Sequence, residues 1–168
     1  MKVGFSGHQW RAGIDWNWVK SAIGEALSPI PREFDGLCSL AAGADQLFAR
    51  CVRDKGGRLI AVLPRDDYES FFDDPADLSS YRELLNTAAE RIELHDSGKP
   101  EESFYRAGAY ITENVDALIV VWDGKPAIGK GGTADIVRLA RRRHCPVLHI
   151  NPVSHEIGGS KGWPSLFS

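Results

Sequence analysis

The chain has 168 residues, and 20 lysine and arginine residues against 23 aspartate and glutamate residues give a formal net charge of −3. Its 43% hydrophobic and 26% charged residues match one ordinary globular domain and exclude a disordered chain. The near-neutral net charge argues against a non-specific nucleic-acid binder. The three cysteines lie far apart with no CxxC pair, so neither a disulfide framework nor a zinc site is expected.

The sequence carries no signal for a membrane or for a bound metal. The longest uninterrupted apolar run, residues 117–122, is far shorter than the roughly 20 residues that cross a bilayer. No basic segment followed by a long apolar stretch opens the chain, so a cytoplasmic protein without membrane contact is expected. No predicted helix places a histidine three or four residues from a second ligand, so we expect no metal, and we expect no cofactor.

Short apolar runs alternate with segments of helical periodicity along most of the chain. The predicted strands cover residues 3–6, 36–40, 59–63, a half-exposed stretch around Ile92 and Leu94, 117–122 and 145–150. The predicted helices begin after Asp15 and then cover residues 45–55, 78–89, 102–114 and 133–143. The acidic stretch 65–77 is predicted to be a long loop.

This alternation predicts a three-layer Rossmann-like α/β sandwich with a mostly parallel sheet of about six strands. Residues 1–150 form the predicted domain, and residues 151–168, which lack clear periodicity, form a predicted C-terminal tail. In such sheets the ligand lies at the carboxyl ends of the strands, where the strand order reverses. The loops that follow the strands are therefore the candidate site.

The first candidate loop follows the first strand. Gly7 allows a tight backbone turn, and His8, Gln9 and Arg11 place hydrogen-bond donors at the edge of the sheet. The loop lacks the G-x-G-x-x-G spacing of the dinucleotide fingerprint. Contact with a base or a second phosphate and an ordinary solvated turn are both compatible with these residues.

The second candidate loop follows the second strand and opens a helix. Gly43 and Ala44 are small enough for a phosphate or a ribose to approach the backbone N–H groups. Asp45 would repel an anion bound there, so it fits a helix cap or a ribose hydroxyl contact better. Close packing of the helix on the strand explains the same small residues.

The third candidate loop follows the most hydrophobic strand and is the strongest local signal. Gly131 and Gly132 can aim successive N–H groups at an anion, and Thr133 can donate a hydroxyl or cap the helix. The partial positive charge of a helix N-terminus also favours phosphate. The loop is not a Walker motif, because no Gly-Lys-Ser/Thr triplet occurs.

Taken together, Gly7-His8, Ala42-Gly43-Ala44-Asp45 and Gly131-Gly132-Thr133 resemble the loops of the SLOG superfamily. These are Rossmann-like domains related to Lonely Guy proteins and to the DNA-processing protein of bacterial transformation. The resemblance covers residues 1–150. It implies a nucleotide-like ligand across the three loops and a homodimer or higher homo-oligomer. Some members release a base from a nucleoside monophosphate, and others are sensors.

Residues 115–124, followed by Gly132-Thr133-Ala134, also resemble the nucleoside deoxyribosyltransferases. Both enzyme groups place a glutamate three residues after the Gly-Thr threonine, where this chain has Ile136 and, one residue earlier, Asp135. One residue is about 100° of helix rotation, so Asp135 is expected to point elsewhere. For an enzyme of this kind the candidate catalytic residues are Asp123, Asp135, Glu113 and, on the phosphate, Arg106.

Three functions stay open on these grounds. The leading hypothesis is a sensor or binding protein for a small ligand of the AMP, NAD or ADP-ribose kind. The alternative is an N-glycosidic hydrolase or transferase, which needs a carboxylate beside an oxocarbenium-like centre. Single-stranded DNA binding comes third, because the acidic charge balance argues against long nucleic acids as partners.

Overall fold

The computed structural model describes residues 1–126, 132–160 and 163. The strands are β1 (Lys2–Gly7), β2 (Asp35–Cys38), β3 (Arg58–Leu63), β4 (Glu90–Glu93), β5 (Ala117–Val121), β6 (Val147–Asn151) and β7 (Glu156–Gly159). The helices are α1 (Trp16–Leu27), α2 (Ala44–Lys55), α3 (Pro75–Thr87), α4 (Pro100–Glu113) and α5 (Thr133–Arg142), with a short 3₁₀ helix at Tyr68–Phe71.

All seven strands form one sheet in the order β4-β3-β2-β1-β5-β6-β7. Every neighbouring pair is parallel except β6 and β7, which are antiparallel. The chain builds outward from β1 to β4 in one direction and then returns to the other side of β1 with β5. The strand order therefore reverses between β1 and β5, which is where doubly wound sheets bind their ligands.

Both faces of the sheet are covered, and β5 shows this most clearly. Ile119 and Val121 pack into the core under α1, α2 and α3, whereas Leu118 and Val120 pack into the core under α4 and α5. All five residues of β5 are buried, as the uninterrupted apolar run predicts for a central parallel strand.

Local sequence explains where the first helices begin and end. The Asp15 carboxylate accepts hydrogen bonds from the backbone N–H groups of Asn17 and Trp18, which caps α1 and contributes about 1 kcal/mol. Gly56 ends α2 in the left-handed conformation, with φ of 83°, and its N–H bonds back to the last turn.

The predicted Rossmann-like sandwich with a mostly parallel sheet is confirmed, and two segments add to it. Within residues 151–168, predicted as a tail, β7 pairs with β6. Within the acidic stretch 65–77, predicted as a loop, the 3₁₀ helix forms and buries Tyr68. No helix in the described part of the chain is long and apolar enough to span a bilayer. The cytoplasmic location stays a prediction.

Candidate functional site

A cavity of about 330 Å³ lies at the carboxyl ends of β1 and β2 and beside the start of α5. Three loops supply its polar side, and aromatic side chains supply the opposite wall. On this side the lining residues are Ser6, Gly7, His8, Gln9, Ser39, Ala41, Ala42, Asp45, Gly132 and Thr133, which offer polar side chains and backbone groups. The cavity lies beside β1, where the strand order reverses, as predicted for a ligand site in such a sheet.

The loop after β1 is fixed between β5 and α2 by its backbone. The His8 N–H donates to the Val121 carbonyl at 3.1 Å, and the His8 carbonyl accepts the Ala44 N–H at 3.0 Å. Gly7 has no room for a side chain, because a Cβ there would lie 2.6 Å from the Ala44 Cβ. Gly7, His8 and Gln9 therefore reach the cavity on a rigid turn.

Gly43 and Ala44 shape the second loop from behind the cavity. Gly43 has φ of +100°, and an added Cβ would lie 2.7 Å from both the Gln9 Cα and the Trp10 backbone nitrogen. Ala44 is fully buried and already donates its N–H to the first loop. Neither residue lines the cavity, and this loop contributes Ala41 and Ala42 instead.

Asp45 is the buried carboxyl group of the site. It lies in the first turn of α2, is only 6% exposed, and turns back to accept the Ser39 N–H at 3.1 Å. Burial raises the pKa of Asp45 to about 7, although hydrogen bonds from the Ser39, Ala41 and Gly7 backbones oppose the rise. Asp45 is thus a cavity carboxyl group that exchanges a proton near neutral pH.

Asp123 joins the loops that follow β1 and β5. Its Oδ2 accepts from Arg11 at 2.6 Å, and its Oδ1 accepts the Lys125 N–H at 3.1 Å. Burial disfavours the Asp123 anion, but the Arg11 and Lys125 hydrogen bonds outweigh burial and lower the pKa of Asp123 to about 2.

The Asp123 N–H donates to His8 Nε2 at 3.1 Å, which requires that nitrogen to be unprotonated. Burial and the nearby Arg11 charge both disfavour a protonated imidazole and lower the pKa of His8.

The start of α5 borders the cavity. Gly132 is the N-terminal flanking residue of α5, and its carbonyl accepts the Asp135 N–H at 2.9 Å. The N–H groups that precede this one at the start of a helix have no partner within the helix, so they can bind an anion. Gly132 and Thr133 line the cavity, whereas Gly131 lies outside the described residues. Asp135 pairs with Arg138, and the cavity wall at this turn is Ile136, which is 2% exposed.

Two of the four candidate catalytic residues lie on other surfaces. Arg106 forms ion pairs with Asp96 and Glu102, and Glu113 pairs with Arg143 at 3.3 Å. Asp123 lines a neighbouring hollow, and none of the four candidate catalytic residues is among the described residues that line the cavity. No group of three or more histidine, cysteine, aspartate or glutamate residues in the described part of the chain is placed to hold a metal ion.

The aromatic wall is the part of the site that sequence reasoning missed. Tyr68, Phe71 and Phe72 come from the stretch after β3, and Phe104 comes from α4. Phe71 and Phe104 meet edge to face with ring centroids 5.2 Å apart, and the Arg65 guanidinium lies 5.5 Å from the Phe71 centroid. The spacing of three aromatic residues within an otherwise acidic stretch is the available signal for this wall.

The fold and the placement of the cavity together define a doubly wound α/β protein with a cavity at its switch point. No protein-family model matches the sequence, and no curated protein matches it significantly. Solved structures do share the fold.

One similar structure is TM1055, with 17% identity and a TM-score of 0.55 over 87% of this chain and 71% of that one. DNA processing protein A from Streptococcus pneumoniae has 17% identity and a TM-score of 0.62 over 99% of this chain, which spans only 53% of that protein. The Helicobacter pylori protein of the same name, described for its single-stranded DNA binding mode, has 16% identity and a TM-score of 0.61 over 99% of this chain and 71% of that one. These similarities confirm the Rossmann-like fold that the resemblance to SLOG-type domains implies.

Proposed function

We propose that this protein binds a small nucleotide-like ligand in the cavity beside the β1–β5 switch point. The observation that carries the proposal is that one part of the cavity lining is aromatic and another part is polar. Tyr68, Phe71 and Phe104 form an apolar wall, and His8 and the start of α5 form a polar, anion-accepting side. A volume of about 330 Å³ falls in the range of small-molecule sites, roughly 300–1,000 Å³.

Each part of a nucleotide has a matching feature in this cavity. A flat base gains from stacking on aromatic rings. A phosphate gains from first-turn N–H groups and the helix dipole at Gly132 and Thr133. A ribose hydroxyl can hydrogen-bond to Asp45, the acidic group of the cavity. The small volume of the cavity favours a free nucleotide over a long nucleic acid as the ligand.

Calorimetric titration with AMP, NAD and ADP-ribose tests the proposal. We expect binding to the wild type and a loss of at least tenfold in Gly132→Asp, because a carboxylate at the start of α5 repels the phosphate. Gly24→Asp is the matched control, since Gly24 is exposed on α1 and its added side chain meets nothing within 4 Å. No binding of any of these nucleotides, or equal affinity in Gly132→Asp, would contradict the proposal.

A second candidate function is cleavage or transfer at the N-glycosidic bond of a nucleoside monophosphate. It is favoured by Asp45, whose buried carboxyl group with a pKa of about 7 lies on the cavity. A carboxyl group tuned to neutral pH can protonate a departing base or, when ionised, stabilise the oxocarbenium-like centre. In this candidate Asp45 takes the acid–base role, and Asp123 stays paired with Arg11.

Chromatography of free base released from AMP and dAMP tests this second candidate. We expect release by the wild type that is abolished in Asp45→Asn, while calorimetry still detects AMP binding to that variant. Absence of free base from either nucleotide under conditions of saturating binding would reject catalysis and leave the binding function in place.

A further inference from the structure

A second, more open hollow of about 720 Å³ adjoins the cavity. His8, Gly132 and Thr133 line both spaces, so they form the boundary where the two meet. The lining differs sharply on the far side of this boundary. The cavity has its aromatic wall, whereas the hollow has the cationic residues Arg11 and Lys125.

Asp123 holds the Arg11 side chain and the Lys125 backbone next to each other. Arg11 bonds to Asp123 Oδ2 at 2.6 Å, and the Lys125 N–H bonds to Oδ1 at 3.1 Å. The Lys125 carbonyl in turn accepts the Trp122 indole N–H at 2.8 Å. Gly124, with φ of +82°, allows the tight turn between Asp123 and Lys125. The two loops therefore form one surface of the hollow that carries Arg11 and Lys125.

This surface keeps positive charge and free donors for a ligand. The Asp123 side chain is 6% exposed and points inward, whereas that of Arg11 is 42% exposed. A guanidinium has five N–H donors, and Asp123 takes only part of this capacity. The two cations exceed the single carboxylate, and His8 with an unprotonated Nε2 adds no charge. An anion in the hollow would therefore meet an attractive potential.

We propose that the hollow receives a second anionic group of the same ligand, so that the ligand is a nucleoside diphosphate or a derivative of one. This inference rests on the proposed nucleotide binding in the cavity. The base occupies the aromatic cavity, the first phosphate lies at the shared boundary, and the next anionic group pairs with Arg11 and Lys125. Asp123 acts as a positioning residue that orients Arg11.

Calorimetric titration with AMP and ADP tests the inference. We expect ADP to bind at least tenfold more tightly than AMP, as one charge-assisted pairing with phosphate provides. In the double variant Arg11→Gln/Lys125→Gln the preference for ADP over AMP should fall to within about twofold. Lys20→Gln/Arg32→Gln is the matched control, because it removes two exposed cations elsewhere and should keep the preference.

The variant Asp123→Asn distinguishes two roles of Asp123, the orientation of the Arg11 side chain and a purely electrostatic effect of its negative charge. The substitution makes the surface more positive, so a purely Coulombic role would raise ADP affinity. We expect the opposite, a fall in the ADP preference, because the amide no longer fixes the guanidinium. A raised preference would reject the positioning role.

The outcomes separate this inference from the function on which it rests. If neither AMP nor ADP binds, the proposed function fails. If both bind with equal affinity, or if the ADP preference survives in Arg11→Gln/Lys125→Gln, the second anionic subsite is rejected and the nucleotide cavity stands.

Discussion

Replacing Asp45 by asparagine should change how the stability of the protein depends on pH. The folded protein buries the Asp45 carboxyl group, which raises its pKa from an ordinary 3.8 to about 7. The unfolded chain exposes it. Between these two values the folded state keeps a proton that the unfolded state releases, so the free energy of unfolding falls as pH rises. Below pH 3.8 Asp45 is protonated in both the folded and the unfolded state. Above about pH 7 the folded protein bears the full free-energy cost of the buried, ionised carboxylate.

The size of the effect follows from the shift. A pKa difference of one between the folded and unfolded states corresponds to 1.36 kcal/mol. The rise in the pKa of Asp45 from 3.8 to about 7 therefore costs about 4 kcal/mol of stability once Asp45 is ionised in the folded state. Globular domains unfold with only about 5–15 kcal/mol, so this cost is a large share of the total. Asparagine never ionises and cannot show this dependence, whatever constant change in stability it brings.

Urea denaturation of the wild type and Asp45→Asn from pH 4 to pH 8.5 measures the difference. The stability of the variant relative to the wild type should rise by about 4 kcal/mol across this range, with its midpoint between pH 4 and 7. Asp54→Asn, an exposed carboxylate on the same helix, is the control for net charge. Parallel curves for wild type and Asp45→Asn, within about 1 kcal/mol, would refute the reasoning.

Three further predictions follow from the site. Gly43→Ala should lower the free energy of unfolding by about 2–4 kcal/mol in urea titrations. Gly43 has φ of +100°, and the added Cβ would lie 2.7 Å from the Gln9 Cα. A loss below about 1 kcal/mol would contradict this close approach. Phe71→Ala should weaken AMP binding by about 1–3 kcal/mol in calorimetry, whereas exposed Ile157→Ala should not. In anisotropy competition, the logarithm of the AMP association constant should fall with the logarithm of the salt concentration with a slope of about −1 to −2. An oligonucleotide that binds more tightly than AMP and with a steeper slope would favour a polyanion as the partner.

Sequence patterns predicted the fold well because the sheet is built from local, periodic segments. The buried run at β5 marks the central strand, and its parallel neighbours follow from the alternation with helices. The strand β7 escaped prediction because Glu156–Gly159 is short and exposed, and it forms only by pairing with β6. A strand stabilised by its neighbour carries little signal of its own.

The sequence predicted some of the residues that line the cavity and missed others. Gly7, His8 and Asp45 do line the cavity, as expected for residues after β1 and β2. Gly43 instead gives room to the neighbouring loop, a role that depends on a contact between distant segments. The aromatic wall depends on how residues 68–72 fold back over the carboxyl end of the sheet, which no local period reveals.

Residue-level mapping of nucleotide binding tests the central claim most directly. Amide chemical shifts of the ¹⁵N-labelled protein, recorded during titration with AMP, report which backbone groups the ligand approaches. The largest changes should fall on Gly7, His8, Ala42 and Thr133, which line the cavity from all three loops. Saturable changes confined to other surfaces, or no changes at millimolar AMP, would contradict a nucleotide site at the β1–β5 switch point.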